Sequence, residues 1–358
     1  MFTAFASPVS NPRHQKNLSL FRFVLHGALA FGFLTAPLLR ADTFTNPITK
    51  GADPWIIQHK GKYMWCKSRN DLGITLRVFD ELDKPGKPRE IWTAPAEGPY
   101  SKEVWAPEIH FIDEHWYVYF AASDGDNKNH LAYVLKSEGD DPFGKYKLHG
   151  PLATGEGTDG KSPNIWAIDM TVLNHKGQLY ALWSGWEKNG ADEQFLYIAP
   201  MKTPVELSEK RVRICDNDDY LWERTEEKVD SRGLNEGPQI LQNGDRTFVI
   251  YSCAASWLPT YKLGLLELIG DDPMKPESWK KHPEPIFQSS EETYGVGHGC
   301  FVKSPDGSEW WHVYHAKNER KDGWNRSIFA QPFTFDASGF PQFGKPVNRG
   351  IEIQKPAR

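Results

Sequence analysis

Gly51-Ala52-Asp53-Pro54-Trp55-Ile56-Ile57, followed after a polar gap by Lys62-Tyr63-Met64-Trp65, does not stand alone in this chain. A second copy reads Trp105-Ala106-Pro107-Glu108-Ile109, then Trp116-Tyr117-Val118-Tyr119-Phe120. The third runs from Ala167-Ile168-Asp169-Met170-Thr171-Val172 to Leu179-Tyr180-Ala181-Leu182-Trp183, and the fourth from Asn235-Glu236-Gly237-Pro238-Gln239-Ile240 to Phe248-Val249-Ile250-Tyr251. A fifth joins Gly297-His298-Gly299-Cys300-Phe301-Val302 to Trp310-Trp311-His312-Val313-Tyr314. Aligning Asp53, Ala106, Asp169, Glu236 and His298 gives periods of 53, 63, 67 and 62 residues. A repeat this long, carrying strand and turn chemistry in each copy, predicts an all-β fold: a five-bladed β-propeller of four-stranded antiparallel blades around a central channel.

The rest of the chain agrees with that period. Short aromatic and β-branched runs alternate with turn signals such as Lys60-Gly61, Lys176-Gly177, Asn243-Gly244 and Asp306-Gly307, where glycine accepts the positive φ of a tight hairpin. Each copy is followed by enough chain for two more strands, as in Leu131–Leu135, Phe195–Ala199 and Leu263–Leu268. Residues 205–233 are charged and irregular and read as a loop at one end of the channel. Residues 43–358 read as a single domain.

Residues 1–42 have a different character. Arg13, His14, Lys16 and Arg22 precede an apolar run from Phe23 to Leu39, and Ala41 offers a small residue for cleavage. This is the layout of a signal peptide, with an uncleaved N-terminal anchor as the alternative. The mature protein is then expected to be secreted or periplasmic, with no integral membrane association. Export permits disulfides among Cys66, Cys215, Cys253 and Cys300, although a domain of this size does not need them and buried free thiols fit as well. A net charge of −5 with scattered basic residues excludes the usual footprint of a nucleic-acid partner. The 14 tryptophans suit either stacked sheet layers or a pocket facing sugar C–H surfaces.

In a propeller, equivalent positions of the inner strands face one another across the channel. Here they hold Asp53, Ala106, Asp169, Glu236 and His298. One acid at the head of a strand is commonly a turn residue. Three in different blades is another matter, because converging like charges cost free energy unless they are paired or used. Two carboxyls on opposite sides of a pocket can break a glycosidic bond, one protonating the leaving oxygen and the other activating water. Separate blades favour the wider spacing that admits water and inverts the anomeric centre. The third carboxylate can raise the proton affinity of the acid.

The blocks Ala52-Asp53-Pro54, Tyr100 to Glu108, Ala167-Ile168-Asp169, Asn235 to Pro238 and Gly297-His298-Gly299 together resemble the signature blocks of glycoside hydrolase family 43. The resemblance spans about residues 45–350 and implies a five-bladed propeller and an inverting mechanism on arabinose- or xylose-containing glycans. It also implies Asp53 as general base, Glu236 as general acid and Asp169 as the carboxylate that orients the acid and raises its pKa. His298 corresponds to a channel histidine that helps to hold a calcium ion or an ordered water, but Gly299-Cys300 stands where the family has a polar residue, often Asn or Ser. Trp105, beside Ala106, corresponds to a residue near the sugar, and Glu108 is left a supporting role. Asn325-Arg326 resembles a pair in arabinofuranosidase-like members whose Arg reaches the pocket, where a guanidinium fork suits sugar hydroxyls.

The expected protein is a monomer that needs no cofactor, beyond a possible Ca2+ in the channel. It releases terminal α-L-arabinofuranosyl residues from arabinan or arabinoxylan. A β-xylosidase acting on xylo-oligosaccharides is the near alternative, since the same acids would serve. A non-catalytic sugar-binding propeller is the remote one. Exo or endo action is left to the loops, with 205–233 as a candidate wall.

Overall fold

A computed structural model of the protein describes residues 42–155, 164–208 and 210–358. The segment read as a signal peptide, up to Ala41, lies outside the described residues.

Five antiparallel sheets form a ring. Blade I is built from Trp55–His59, Lys62–Ser68, Gly73–Phe79 and Arg89–Thr93. Blade II comprises Lys102–Ile112, His115–Ser123, Leu131–Ser137 and Tyr146–His149. Ala167–His175, Gln178–Gly185, Phe195–Thr203 and Val212–Cys215 make blade III, with Glu206–Leu207 also pairing to its third strand. Blade IV contains Glu236–Asn243, Arg246–Cys253, Lys262–Leu268 and Trp279–Lys281. Blade V takes Gly297–Lys303, Trp310–Lys317 and Arg326–Phe335 from the end of the chain and its outer strand, Thr49–Lys50, from the beginning. Beside that closure, Thr43–Thr45 pairs with Glu352–Gln354. The segment 205–233 is thus not all loop, because Val212–Cys215 satisfies the free edge of blade III.

Alternating side chains put one apolar face of each blade against the next. Blades I and II share Met64, Leu76, Ile109 and Trp116, and blades V and I share Trp65, Val302 and Trp311. Trp65, Trp116, Trp183 and Trp311, on the second strands of four blades, are fully buried. For these four the tryptophan richness is core packing. All four cysteines are buried free thiols, and Cys300 Sγ accepts the Ile56 N–H at 3.2 Å, joining blade V to blade I. Cys300, in the place of the family's usual polar residue, therefore has a packing role.

The inner strands share one irregularity that positions the site. In blades II to V the pairing with the second strand slips at Ala106-Pro107, Asp169-Met170, Gly237-Pro238 and His298-Gly299, where two residues oppose one. The first residue of each bulge is left-handed, with φ of 41° at Ala106, 56° at Asp169, 56° at Gly237 and 38° at His298. Asp53, at 49°, adopts the same conformation just before blade I begins. This is the bulge type whose first residue prefers glycine. Asp and His tolerate it better than most residues, at a cost characteristic of functional sites.

Candidate active site

The bulges correct the alignment read from sequence. Register equates Ala106, Asp169 and His298 with Gly237, and Asp53, left-handed ahead of Pro54, falls at the same place, so Glu236 sits one residue earlier, level with Trp105 and Ile168. The prolines carry that signal: Asp53-Pro54, Ala106-Pro107 and Gly237-Pro238 are in phase. Gly237 is required on two counts. It is left-handed, and an added Cβ would lie 3.0 Å from the His298 ring.

His298 is the hub. Its Nδ1 lies 3.4 Å from Asp53 Oδ1 and 3.9 Å from Asp169 Oδ2, and its backbone N–H donates to Ser252 Oγ at 2.8 Å. Burial lowers its pKa, but Asp169, Asp53 and Glu236 outweigh burial and raise it, favouring the imidazolium.

Asp53 Oδ1 also meets Arg326 at 3.3 Å and His315 Nδ1 at 3.1 Å. Burial pushes the Asp53 pKa up, yet Arg326, His298 and His315 together hold the carboxyl far below the ordinary range. The Asp53 N–H also points at His315 Nδ1, at 3.3 Å, and one ring nitrogen cannot both accept from the amide and donate to the carboxylate. Burial holds His315 neutral, and a proton on Nδ1 best serves the anion. Asp53 keeps 27% of its side chain exposed, an ionised oxygen open to solvent, whereas Asp169 and Glu236 are buried.

Asp169 Oδ2 accepts the N–H of Gly237 at 3.0 Å, so the carboxylate grips the backbone next to Glu236. Glu236 Oε1 accepts the Tyr261 hydroxyl at 2.8 Å, which leaves its other oxygen for a proton. Burial raises both acids above the usual carboxylate range, and negative neighbours add to it. Asp169, with a backbone donor and His298 beside it, is the better seat for charge. Glu236 is the better seat for the proton.

Arg326 bridges outward, its guanidinium 5.2 Å from the Trp324 ring. Trp105 stacks on His130 at 3.9 Å and packs with the Trp166–Trp186 pair at the head of blades II and III. Ala106 fills its bulge with only a methyl group. Glu108, buried one step down the channel, accepts from Gln239 Nε2 at 2.6 Å and meets His110 at 3.3 Å. Tyr261 and His315 escaped the sequence reading, since Tyr261 lies on a connection outside the repeat and His315 one residue past the quoted strand. The adjoining glycine could have marked Tyr261, because a Cβ on Gly297 would sit 2.4 Å from its ring.

Nδ1 of His298 is turned to two site carboxylates, and among the described residues no three His, Cys, Asp or Glu side chains are placed to hold a metal ion.

A propeller channel with three acids at its mouth defines a glycoside-cleaving class of protein, and comparison makes it specific. The sequence description "Glycosyl hydrolases family 43" matches residues 44–341, and the chain belongs to that family. An extracellular exo-α-(1→5)-L-arabinofuranosidase of Streptomyces avermitilis is 35% identical over 88% of this chain, which spans 66% of that relative's length. A protein of the same name from Streptomyces chartreusis is 32% identical, over 84% of this chain and 92% of the relative. The crystal structure of an α-L-arabinofuranosidase from Lactobacillus brevis superposes with a TM-score of 0.77 at 30% identity, covering 86% of this chain and 98% of the other.

Proposed function

We propose that this glycoside hydrolase releases terminal α-L-arabinofuranosyl residues from arabinan- or arabinoxylan-type glycans, with inversion. The observation that carries the reading is the division of labour among three acids, Asp53 partly open to solvent and gripped by Arg326, His298 and His315, Asp169 and Glu236 buried and linked through the Gly237 amide, in a family whose similar members here are named arabinofuranosidases.

In this mechanism Asp53 takes a proton from a water on one face of the sugar as that water attacks the anomeric carbon. Glu236 gives its proton to the departing glycosidic oxygen on the other face. Asp169 keeps Glu236 in place through the Gly237 amide and discourages its ionisation. Arg326 and His298 hold Asp53 ionised, and Arg326 has further N–H groups for sugar hydroxyls. Trp105 and Ala106 line the blade II side. The chain's own acids suffice, and no step runs through calcium. The protein works as an exported monomer; the extracellular naming of the two Streptomyces relatives supports the export.

The leaving group supplies the test. Glu236→Gln should lose roughly 10²–10⁴-fold on arabinobiose, as expected for removing a general acid, but far less on a dinitrophenyl arabinofuranoside whose leaving group needs no proton. Asp53→Asn should fall equally on both substrates. NMR of the first product should show the inverted anomer, and EDTA should leave the rate unchanged. Wild-type turnover of xylosides alone would transfer the assignment to a β-xylosidase, and unaltered hydrolysis by both variants would remove these acids from the mechanism.

A further inference from the structure

Most large aromatic side chains of this protein are buried, but Trp324 is 63% exposed. It lies on the connection between the second and third strands of blade V, two residues before Arg326. One face of the indole receives the Arg326 guanidinium at 5.2 Å, and the same guanidinium reaches Asp53 at 3.3 Å. Trp257, from the connection after the second strand of blade IV, stands beside it with ring centroids 5.6 Å apart at 54°. An exposed indole is therefore linked through one side chain to the carboxylate that activates water.

The connection that carries it is anchored. Lys317 is buried and donates to the Trp257 carbonyl at 2.7 Å and to the Gly323 carbonyl, while the Gly323 N–H donates to that same Trp257 carbonyl at 2.8 Å. Asn318 and Asn325 join side chains at 2.7 Å across the base of the turn. One buried ammonium thus holds both tryptophan-bearing connections. A buried lysine is costly to maintain, and here its hydrogen bonds fix the position of an aromatic pair that the blade cores do not need.

We infer that Trp324, backed by Trp257, is the platform for the sugar on the leaving side of the scissile bond. This inference rests on the hydrolase reading above. A pentofuranose presents an apolar C–H surface on one side and hydroxyls on the other. The exposed indole suits the first, while the Arg326 N–H groups beside it suit hydroxyls at the junction of the two sugars. The cleaved unit sits against the acids, and its neighbour lies on Trp324.

The test compares Trp324→Ala and Trp324→Phe with wild type on arabinotriose, alongside the inhibition constant of free L-arabinose, which fills only the position of the cleaved sugar. Trp324→Ala should raise KM for arabinotriose about 10-fold, equivalent to ~1.4 kcal/mol. It should leave kcat and the arabinose constant within about 2-fold, and Trp324→Phe should recover most of the loss. An unchanged KM overturns the platform. So does a parallel rise in the arabinose constant, since Trp324 would then act only by holding Arg326. Failure of the wild type to hydrolyse arabinotriose would instead remove the arabinofuranosidase reading and the platform with it.

Discussion

Asp53 shows how far one side chain's chemistry depends on residues distant in sequence. Alone before Pro54 it would be an ordinary turn residue. In the folded ring it faces Arg326 and His298, and the resulting low pKa fixes a pH dependence. Because the folded carboxyl lies below its unfolded value, its contribution to stability is present above the ordinary carboxylate range and is lost as pH falls through the folded value. Activity should follow the same acid limb. Arg326→Met removes the nearest permanent cation, and the acid limb of kcat/KM should move up by about 1 pH unit or more. Arg326 also lowers the Glu236 pKa, so the basic limb should rise too, by less. An acid limb that stays in place in the variant's pH–rate profile would show that Arg326 does not control Asp53.

At the scale of elements, the repeated bulge matters more than any strand. In blades II to V it turns one residue into the left-handed region, and in blade IV glycine there leaves room for the His298 ring. Gly237→Ala should cost roughly 1–3 kcal/mol from strain and crowding, seen as a lowered melting temperature, with a fall in kcat as His298 and Glu236 shift. Gly244→Ala is the control. Its φ of 58° is as positive, but nothing lies within 4 Å of the new Cβ, so it should lose some stability and no activity. The period of the chain made five blades and three acids legible, because inner strands repeat their apolar core and the acids recur with them. The bulge was not legible by aligning charges, which placed Glu236 one residue out of register. Tyr261, His315 and the Lys317 anchor were harder to read: Tyr261 lies on the connection before the third strand of blade IV, whereas His315 and Lys317 end the second strand of blade V, past its aromatic run, and meet Asp53 and Trp257 only when blade V packs against its neighbours.

For the whole molecule, closure of the ring is the decisive event. The outer strand of blade V comes from Thr49–Lys50, and Asn46 reinforces it: its side chain accepts the Ala330 N–H at 2.9 Å and donates to the Ala330 carbonyl at 3.0 Å. Buried Asn46 thus imitates one more residue of the strand. Asn46→Ala leaves both backbone groups unpaired, and unfolding by calorimetry should show a loss of roughly 1–3 kcal/mol, while kcat at low temperature stays near wild type. A melting temperature unchanged by this substitution would mean that closure does not limit stability. In mechanical terms the ring has one seam. Blades I to IV are each sewn from consecutive chain, so opening them must break hairpins, whereas parting Thr49–Lys50 from Ser327–Ile328 breaks none. That seam lies against Arg326, so the clasp that holds the molecule shut also holds the guanidinium to its carboxylate, and loosening the ring would disarm the site before any blade unravels.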